Sequence, residues 1–267
     1  MSATLGGLLK DYRLQKNIPQ LEIAFALGWK EASRLSRIEQ GIVVKPKREV
    51  IDKIMNAMDM KSEERNNLYT VGGYVPSKKE IEEVRKKLDS IMSVFPYPAE
   101  AMDFTWRLIH HNQSLYQLYN VNKAKQKWIE EKMPHLFDIV FDPSFVPNTN
   151  LNSEQKKSRE FFHLRMLSHF RYDQRNRTHE EWYQKLMQRL LGNTLFKEMW
   201  KKAQNFSMNA DVFSFSTKSF VSRPDNKGYL RFYFFLEPLL KDPRFMIGFH
   251  VPADKETFAY FETHSKQ

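Results

Sequence analysis

Apolar residues in the first 76 positions recur at three- and four-residue intervals, the period of helices with one buried face. Leu5, Leu8, Leu9 and Tyr12 share such a face, and this helix should end near Lys16-Asn17, ahead of Pro19. A second helix is expected from about Pro19 to Leu27, with Ile23, Ala24 and Leu27 inward and Gly28 as its stop. Pro19 suits the first turn, where a missing N–H costs little. The third covers Glu31 to Gln40, buries Leu35 and Ile38, and stops at Gly41. Beyond a polar, basic loop (Val44 to Arg48), Val50, Ile54 and Met58 mark a fourth, and Ser62 with Glu63 and Glu64 should cap a fifth that ends at Gly72-Gly73.

Ser77 and Glu80 then have capping-box spacing, and Ile81, Val84, Leu88 and Ile91 recur along a helix that stops before Phe95-Pro96-Tyr97-Pro98. It reads as a linker between domains, or equally as an element of either one. After Pro98 the pattern changes. Residues 99–103 and 107–111 look like two short strands around a tight turn, followed by helical stretches near 112–133, 153–173 and 178–203. Four strand-like segments close the chain, near 211–221, 229–237, 244–251 and 256–263, with turn residues at Asp225-Asn226-Lys227-Gly228 and Lys241-Asp242-Pro243. The expected architecture is multidomain: an all-α domain of five helices over 1–76, a linker helix over 77–94, and an α+β domain over 95–267, an antiparallel sheet with helices massed on one side.

Composition narrows the chemistry. The 267 residues are 41% hydrophobic and 28% charged, enough to bury real cores. No apolar run approaches the ~18 residues of a membrane span, and the start of the chain lacks the pattern of a secretory signal. With no cysteine, disulfides and thiol catalysis are excluded, and a cytoplasmic setting is expected. The net charge of +10 permits a polyanionic partner, but residues 1–76 hold 12 basic and 9 acidic side chains, so most of the excess lies elsewhere. Charge alone does not make a nucleic-acid argument here.

The order of short elements does. A short helix, a glycine turn (Leu27-Gly28-Trp29-Lys30) and a second short helix form the geometry that sets a recognition helix in the major groove. Leu35 and Ile38 would anchor that helix while Ser33, Arg34 and Arg37 face outward. Arginine can bond guanine bidentately, and serine can reach a base or a phosphate. Gln20, at the start of the second helix, is expected at a phosphate.

Arg13, Gln20, Ala24, Gly28, Ser36-Arg37-Ile38-Glu39 and Gly41 together resemble the phage-repressor-like (XRE) helix-turn-helix regulators over about residues 5–72. The resemblance implies a five-helix domain that binds double-stranded operator DNA, usually as a homodimer, with Arg13 paired to Glu39 for structural reasons. One departure stands out: Gly28 to Gly41 is a residue longer than the family's commonest form, the extra residue falling within Trp29 to Glu31. Ala32, Ser33, Arg34 and Arg37 are the base-reading candidates, with Lys30, Lys45 and Lys47 as phosphate contacts, although each lysine also suits a solvated surface. Leu21 and Phe25 lie off the inward face of the second helix. They belong either to a broader core or to a contact with the linker helix or a partner subunit.

From Asp103, Trp106 and Asn112 to Pro238-Leu239, Asp242-Pro243-Arg244-Phe245 and Pro252-Ala253-Asp254 with Thr257, the rest of the chain is similar to MmyB-like ligand-binding domains, which have a PAS-like fold. That resemblance implies a small apolar, fatty-acid-like ligand between sheet and helices. Phe137, Phe141, Phe162, Met166, Phe213, Phe215 and Phe234 are candidate lining residues, and each would serve equally as ordinary core. Asn112 reads as a helix cap.

Nothing in the pattern argues for catalysis, a cofactor or a metal. His110 and His111 alternate across a strand and cannot share one ion. Glu160 and His163 have metal-ligand spacing without a second copy, and no phosphate loop or nucleophile elbow is present. The expectation is therefore a ligand-responsive transcriptional regulator. The rival readings are a peptide-pheromone regulator with an all-helical C-terminal part, and an enzyme carried on a DNA-binding head.

Overall fold

The computed structural model of the protein describes residues 4–145, 152–206, 218–223 and 228–264. The chain forms two units, one of Met1–Pro76 with Pro238–Arg244, the other of Ser77–Glu237 with Phe245–Gln267.

In the first unit five helices follow the apolar periodicity: α1 (Leu5–Gln15), α2 (Gln20–Ala26), α3 (Ser33–Glu39), α4 (Arg48–Ala57) and α5 (Ser62–Val71). Thr4 caps α1 by accepting the Gly7 N–H at 3.2 Å. Pro19 precedes α2 as its N-cap residue with φ of −64°, one position earlier than a first-turn role. Lys61 is the N-cap of α5, so Ser62 opens the helix and does not cap it; the Glu64 carboxylate reaches back to the Lys61 N–H at 2.7 Å. Leu9, Ile23, Leu35, Ile38, Ile51 and Ile54 form the centre of one apolar core. Gly6 is the tightest point, because a Cβ there would lie 2.1 Å from the Ile38 carbonyl oxygen. Glycine alone lets α1 rest on the C-terminal end of α3.

The second unit opens with α6 (Lys78–Met92), whose Ser77–Glu80 capping box is formed and whose buried Ile81, Leu88 and Met92 lie on the side packed toward the sheet. Strands β1 (Ala99–Asp103) and β2 (Leu108–His111) are antiparallel around a turn organised by Asp103. This buried carboxylate accepts from the Thr105 N–H and hydroxyl and from the Arg107 N–H and guanidinium. Trp106 takes φ of +64° within that turn, and its ring packs on Phe137 and Phe170. Asn112 then does more than cap a helix. Its Oδ1 accepts from the Leu115 and Ala99 N–H groups, and its Nδ2 donates to the Phe95 and Tyr97 carbonyls, so it ties the strand pair to the segment before it.

Helices α7 (Gln113–Leu118), α8 (Lys123–Lys132), α9 (Leu136–Val140), α10 (Ser153–Asp173), α11 (Glu181–Leu190) and α12 (Thr194–Gln204) follow. The helical stretch expected over 112–133 is broken at Asn120, with φ of +48°, and restarts at Asn122, which caps α8. Strands β3 (Lys218–Ser222), β4 (Tyr229–Leu239) and β5 (Asp242–Pro252) complete a five-stranded sheet in the order β2-β1-β5-β4-β3. The part of the first C-terminal strand expected over 211–217 lies outside the described residues. Met102, Leu108 and Met246 share one sheet face and pack with Phe137, Phe141, Leu167, Phe170 and Phe196 of the helices.

The strand expected at 256–263 is instead a helix, α13 (Lys255–His264). Asp254 accepts from the Thr257 N–H at 2.9 Å and its hydroxyl at 2.7 Å, an N-terminal cap that outweighs the local alternation of aromatic residues. Thr257 and Phe261, one turn apart, are the buried pair. The sheet also removes the all-helical alternative for this half of the chain. No helix among the described residues is long and apolar enough to cross a membrane.

Histidines held neutral by burial, His111, His135 and His163, give this unit a pH dependence. His135 Nδ1 accepts the Phe137 N–H at 3.1 Å to begin α9, and burial pushes its pKa down to about 3; burial likewise pushes His163 down to about 4. Both values lie below the unfolded value of 6.5, so below that pH the unfolded chain takes up protons that the folded unit refuses. Stability should therefore fall as pH drops from 6.5 toward 4, at up to about 1.4 kcal/mol per pH unit for each group. Urea unfolding followed by tryptophan fluorescence checks this, since four of the five tryptophans lie in this unit. His135→Asn, which keeps a cap acceptor without titrating, should flatten part of the slope.

Candidate nucleic-acid interface

The geometry of α2 and α3 starts from one buried ion pair. Arg13, on α1, meets Glu39, the last residue of α3, through Nε to Oε1 at 2.6 Å and Nη2 to Oε2 at 2.9 Å. The remaining Nη1 donates to the Ile18 carbonyl at 3.0 Å. Gln20 on α2 donates its Nε2 to Glu39 Oε2 at 2.7 Å. Three helices thus converge on one carboxylate. The hydrogen bonds that Arg13 donates to Glu39 raise the guanidinium pKa above its ordinary value, so Arg13 stays charged.

This adds to the reading of Gln20. Its half-buried amide is also part of the framework that orients α3, through the bond to Glu39.

The turn between α2 and α3 is built on Gly28 and Trp29. Gly28 takes φ of +73° after Leu27, and the Trp29 N–H closes the end of α2 by donating to the Ala24 carbonyl at 2.8 Å. Lys30, Glu31 and Ala32 are not helical, and α3 begins at Ser33 with Ala32 as its N-cap residue. The inward side of α3 buries Leu35, Ile38 and Glu39.

On the opposite side, Ser33, Arg34, Arg37 and Gln40 are exposed, and Ala32 is half-buried. Ser33 donates its hydroxyl to Glu31 Oε1 at 2.6 Å, so a base or phosphate would compete with that carboxylate. The Arg34 guanidinium lies over the Trp29 ring, 4.6 Å from its centroid. Arg37 forms no ion pair among the described residues, although its carbonyl receives the N–H groups of Ile42 and Val43. The three lysines expected at phosphates, Lys30, Lys45 and Lys47, are all exposed, and Lys45 also donates to the Gly73 carbonyl at 3.1 Å and approaches the Tyr74 ring. Leu21 and Phe25 are 46% and 59% exposed, so they are not part of a broader core.

The expected ligand-lining residues divide differently. Phe137, Phe141 and Met166 are buried in the main core of the second unit, with Phe162 packed against it. The Phe137 and Phe141 rings meet each other edge-on, as Phe137 meets Phe170 and Phe141 meets Phe196, while Phe137 and Phe196 are tilted. Phe234 is set apart: its ring occupies the space that a side chain on Gly248 would need and lies 5.0 Å from the His250 ring. Phe213 and Phe215 lie outside the described residues. Sequence reasoning missed the buried Glu100–His250 pair, joined at 2.9 Å, because the two residues are 150 positions apart and nothing local marks them as partners. It also passed over Trp29 as a platform for Arg34, although aromatic and arginine five residues apart across a helix start were visible. Glu160 pairs with Lys202 at 2.6 Å, and His163 packs on Phe141, so the two do not form a ligand pair. Among the described residues no cluster of side chains could hold a metal ion.

Residues 4–68 match the family model of a helix-turn-helix domain. No curated protein matches the chain. The first unit is thus a helix-turn-helix DNA-binding domain, and the matched stretch contains every residue of the Arg13–Gln20–Glu39 framework.

The framework can be tested as a unit. Glu39→Ala strands a buried guanidinium and should cost about 3–5 kcal/mol in thermal or urea unfolding of the first unit. The double change Arg13→Met with Glu39→Leu removes both charges and should recover part of that loss. A single variant as stable as the parent chain would deny the pair its structural role.

Proposed function

We propose that this protein is a cytoplasmic transcriptional regulator of the phage-repressor-like (XRE) type, which binds operator DNA as a homodimer and answers to a small apolar ligand. The observation that carries the DNA half is the three-helix junction on Glu39, which presents Ser33, Arg34 and Arg37 on one exposed side of α3. The first-turn residues of such a helix reach base edges, while Lys30 and Lys47 supply charge for the phosphate backbone. Paired half-sites about one helical turn apart are the natural target of a two-fold dimer.

The ligand half rests on the second unit and its similarity to MmyB-like, PAS-like domains. Helices α9 to α12 pack their apolar residues on the sheet face that carries Met102 and Met246. Buried polar groups lie among the aromatic side chains, the Glu100–His250 pair beside Phe232 and Phe234. An apolar site with a few placed polar groups is the usual make-up of a small-molecule pocket. The ligand controls transcription only to the extent that it binds the DNA-competent and DNA-incompetent states unequally.

Selection of the full chain against random duplex DNA should enrich a two-fold symmetric motif whose affinity falls steeply with salt. Native mass spectrometry of the purified protein should show a dimer with a small organic molecule. Stripping that molecule and adding it back should change operator affinity. A featureless selection would refute operator recognition, and equal affinity with and without the molecule would refute the sensor. If the molecule is chemically converted on incubation, the enzyme reading prevails.

Leu21 and Phe25 offer the dimer a contact. Phe25→Ser should leave the melting temperature nearly unchanged, because the side chain is mostly exposed, while raising the dimer dissociation constant severalfold in sedimentation equilibrium. Loss of stability without loss of association would exclude that contact.

A further inference from the structure

We propose that Arg34 reads a guanine and that Trp29, the tryptophan of the turn before α3, is the positioning residue that holds it ready to do so. The inference rests on operator binding by α3 and adds which side chain sets the base preference and why the turn is built as it is.

Trp29 is fixed before any DNA arrives. Its backbone N–H is bonded to Ala24, and its side chain packs partly against the core of the first unit. The Arg34 guanidinium lies 4.6 Å from its ring centroid, on the exposed side of the first turn of α3. A guanidinium stacked on an aromatic face keeps its N–H edge free in its own plane, and that edge is what bonds the O6 and N7 of guanine together. Arg34 has no carboxylate partner among the described residues, so neither an ion pair nor a hydrogen-bond acceptor must be given up on binding. Stacking also restricts a long side chain that would otherwise lose rotamer freedom at the interface.

The other exposed candidates lack this preparation. Ser33 is engaged by the Glu31 carboxylate, and Arg37 has no aromatic neighbour among the described contacts. The shape of the turn accounts for the difference. With the chain non-helical from Trp29 through Ala32, the indole stands beside the first turn of α3, where its face meets a side chain five positions ahead.

The test uses the full chain and the motif enriched by selection from random duplex DNA. Arg34→Lys keeps the charge but not the planar fork, so the preference for guanine at one position of each half-site should fall about tenfold, with other positions unchanged. Trp29→Ala should reduce the preference at that same position about threefold, leaving affinity for unrelated DNA and its salt dependence as in the parent chain. Trp29→Phe, which retains an aromatic face, should restore most of it. A purely structural tryptophan would instead weaken binding to every sequence equally and lower the melting temperature, and phenylalanine would then restore stability without restoring base preference. That result, or an Arg34→Lys variant whose motif is unaltered, overturns the proposal. A chain that enriches no motif at all overturns operator binding itself, a separate failure.

Discussion

A carboxylate buried at the end of α3 has to be neutralised by its neighbours, and the first unit is organised around that requirement. Removing the Glu39 charge from water is costly unless each oxygen is paired and bonded. Arg13 supplies a two-point bond from α1, and Gln20 adds a third donor from α2. An apolar contact of similar area would tolerate sliding of one helix on another. A bidentate guanidinium–carboxylate bond does not, because its two parallel N–H···O contacts fix direction as well as distance. The orientation of α3 relative to α1 and α2 is consequently set from its C-terminal end, and Gly6 admits the close approach this needs.

Fixing the helix at that end leaves its N-terminal end free to vary. The stretch from Trp29 to Ala32 before α3 is non-helical, and α3 itself turns Leu35, Ile38 and Glu39 inward. The surface offered to DNA is shaped by that stretch: here an indole comes to lie under Arg34. Rigidity at one end and tolerance at the other suit a recognition element whose scaffold must persist while its reading head differs between proteins.

The second unit meets a different constraint, that of joining strands and helices through turns whose polar groups are inside. Asp103 and Asn112 satisfy most of it, each making at least four hydrogen bonds to main-chain or nearby groups. Between them they fix the β1–β2 pair and the start of α7. The helices then cover one sheet face through rings that meet edge-on, an interior of high specificity in which two histidines are kept neutral by burial.

Much of this was legible along the chain. Periodicity alone located α1 to α6 within a residue or two, and it located the β1–β2 pair, because each of those elements buries one face and exposes the other. The helix-turn-helix was legible from the short helix, glycine turn and short helix, and from the resemblance carried by Arg13, Gln20, Ala24, Gly28, Ser36-Arg37-Ile38-Glu39 and Gly41. What failed had a common cause. Asp254 and Thr257 form a cap four residues long that turns an alternating aromatic stretch into a helix, and such a short signal is easily overridden by pattern. The bond from Gln20 to Glu39 could not be read either, since nothing local reveals that a carboxylate nineteen positions away faces it. The pairing of Glu100 with His250, the fit of Phe234 over Gly248 and the stacking of Arg34 on Trp29 belong to the tertiary structure alone. The sequence by itself determined the helices of the first unit and which side of each is buried, since those follow from local periodicity. Which side chains meet, and so which arginine is held ready for a base, was decided only when distant segments packed, because contact depends on relative orientation and no single segment carries that information.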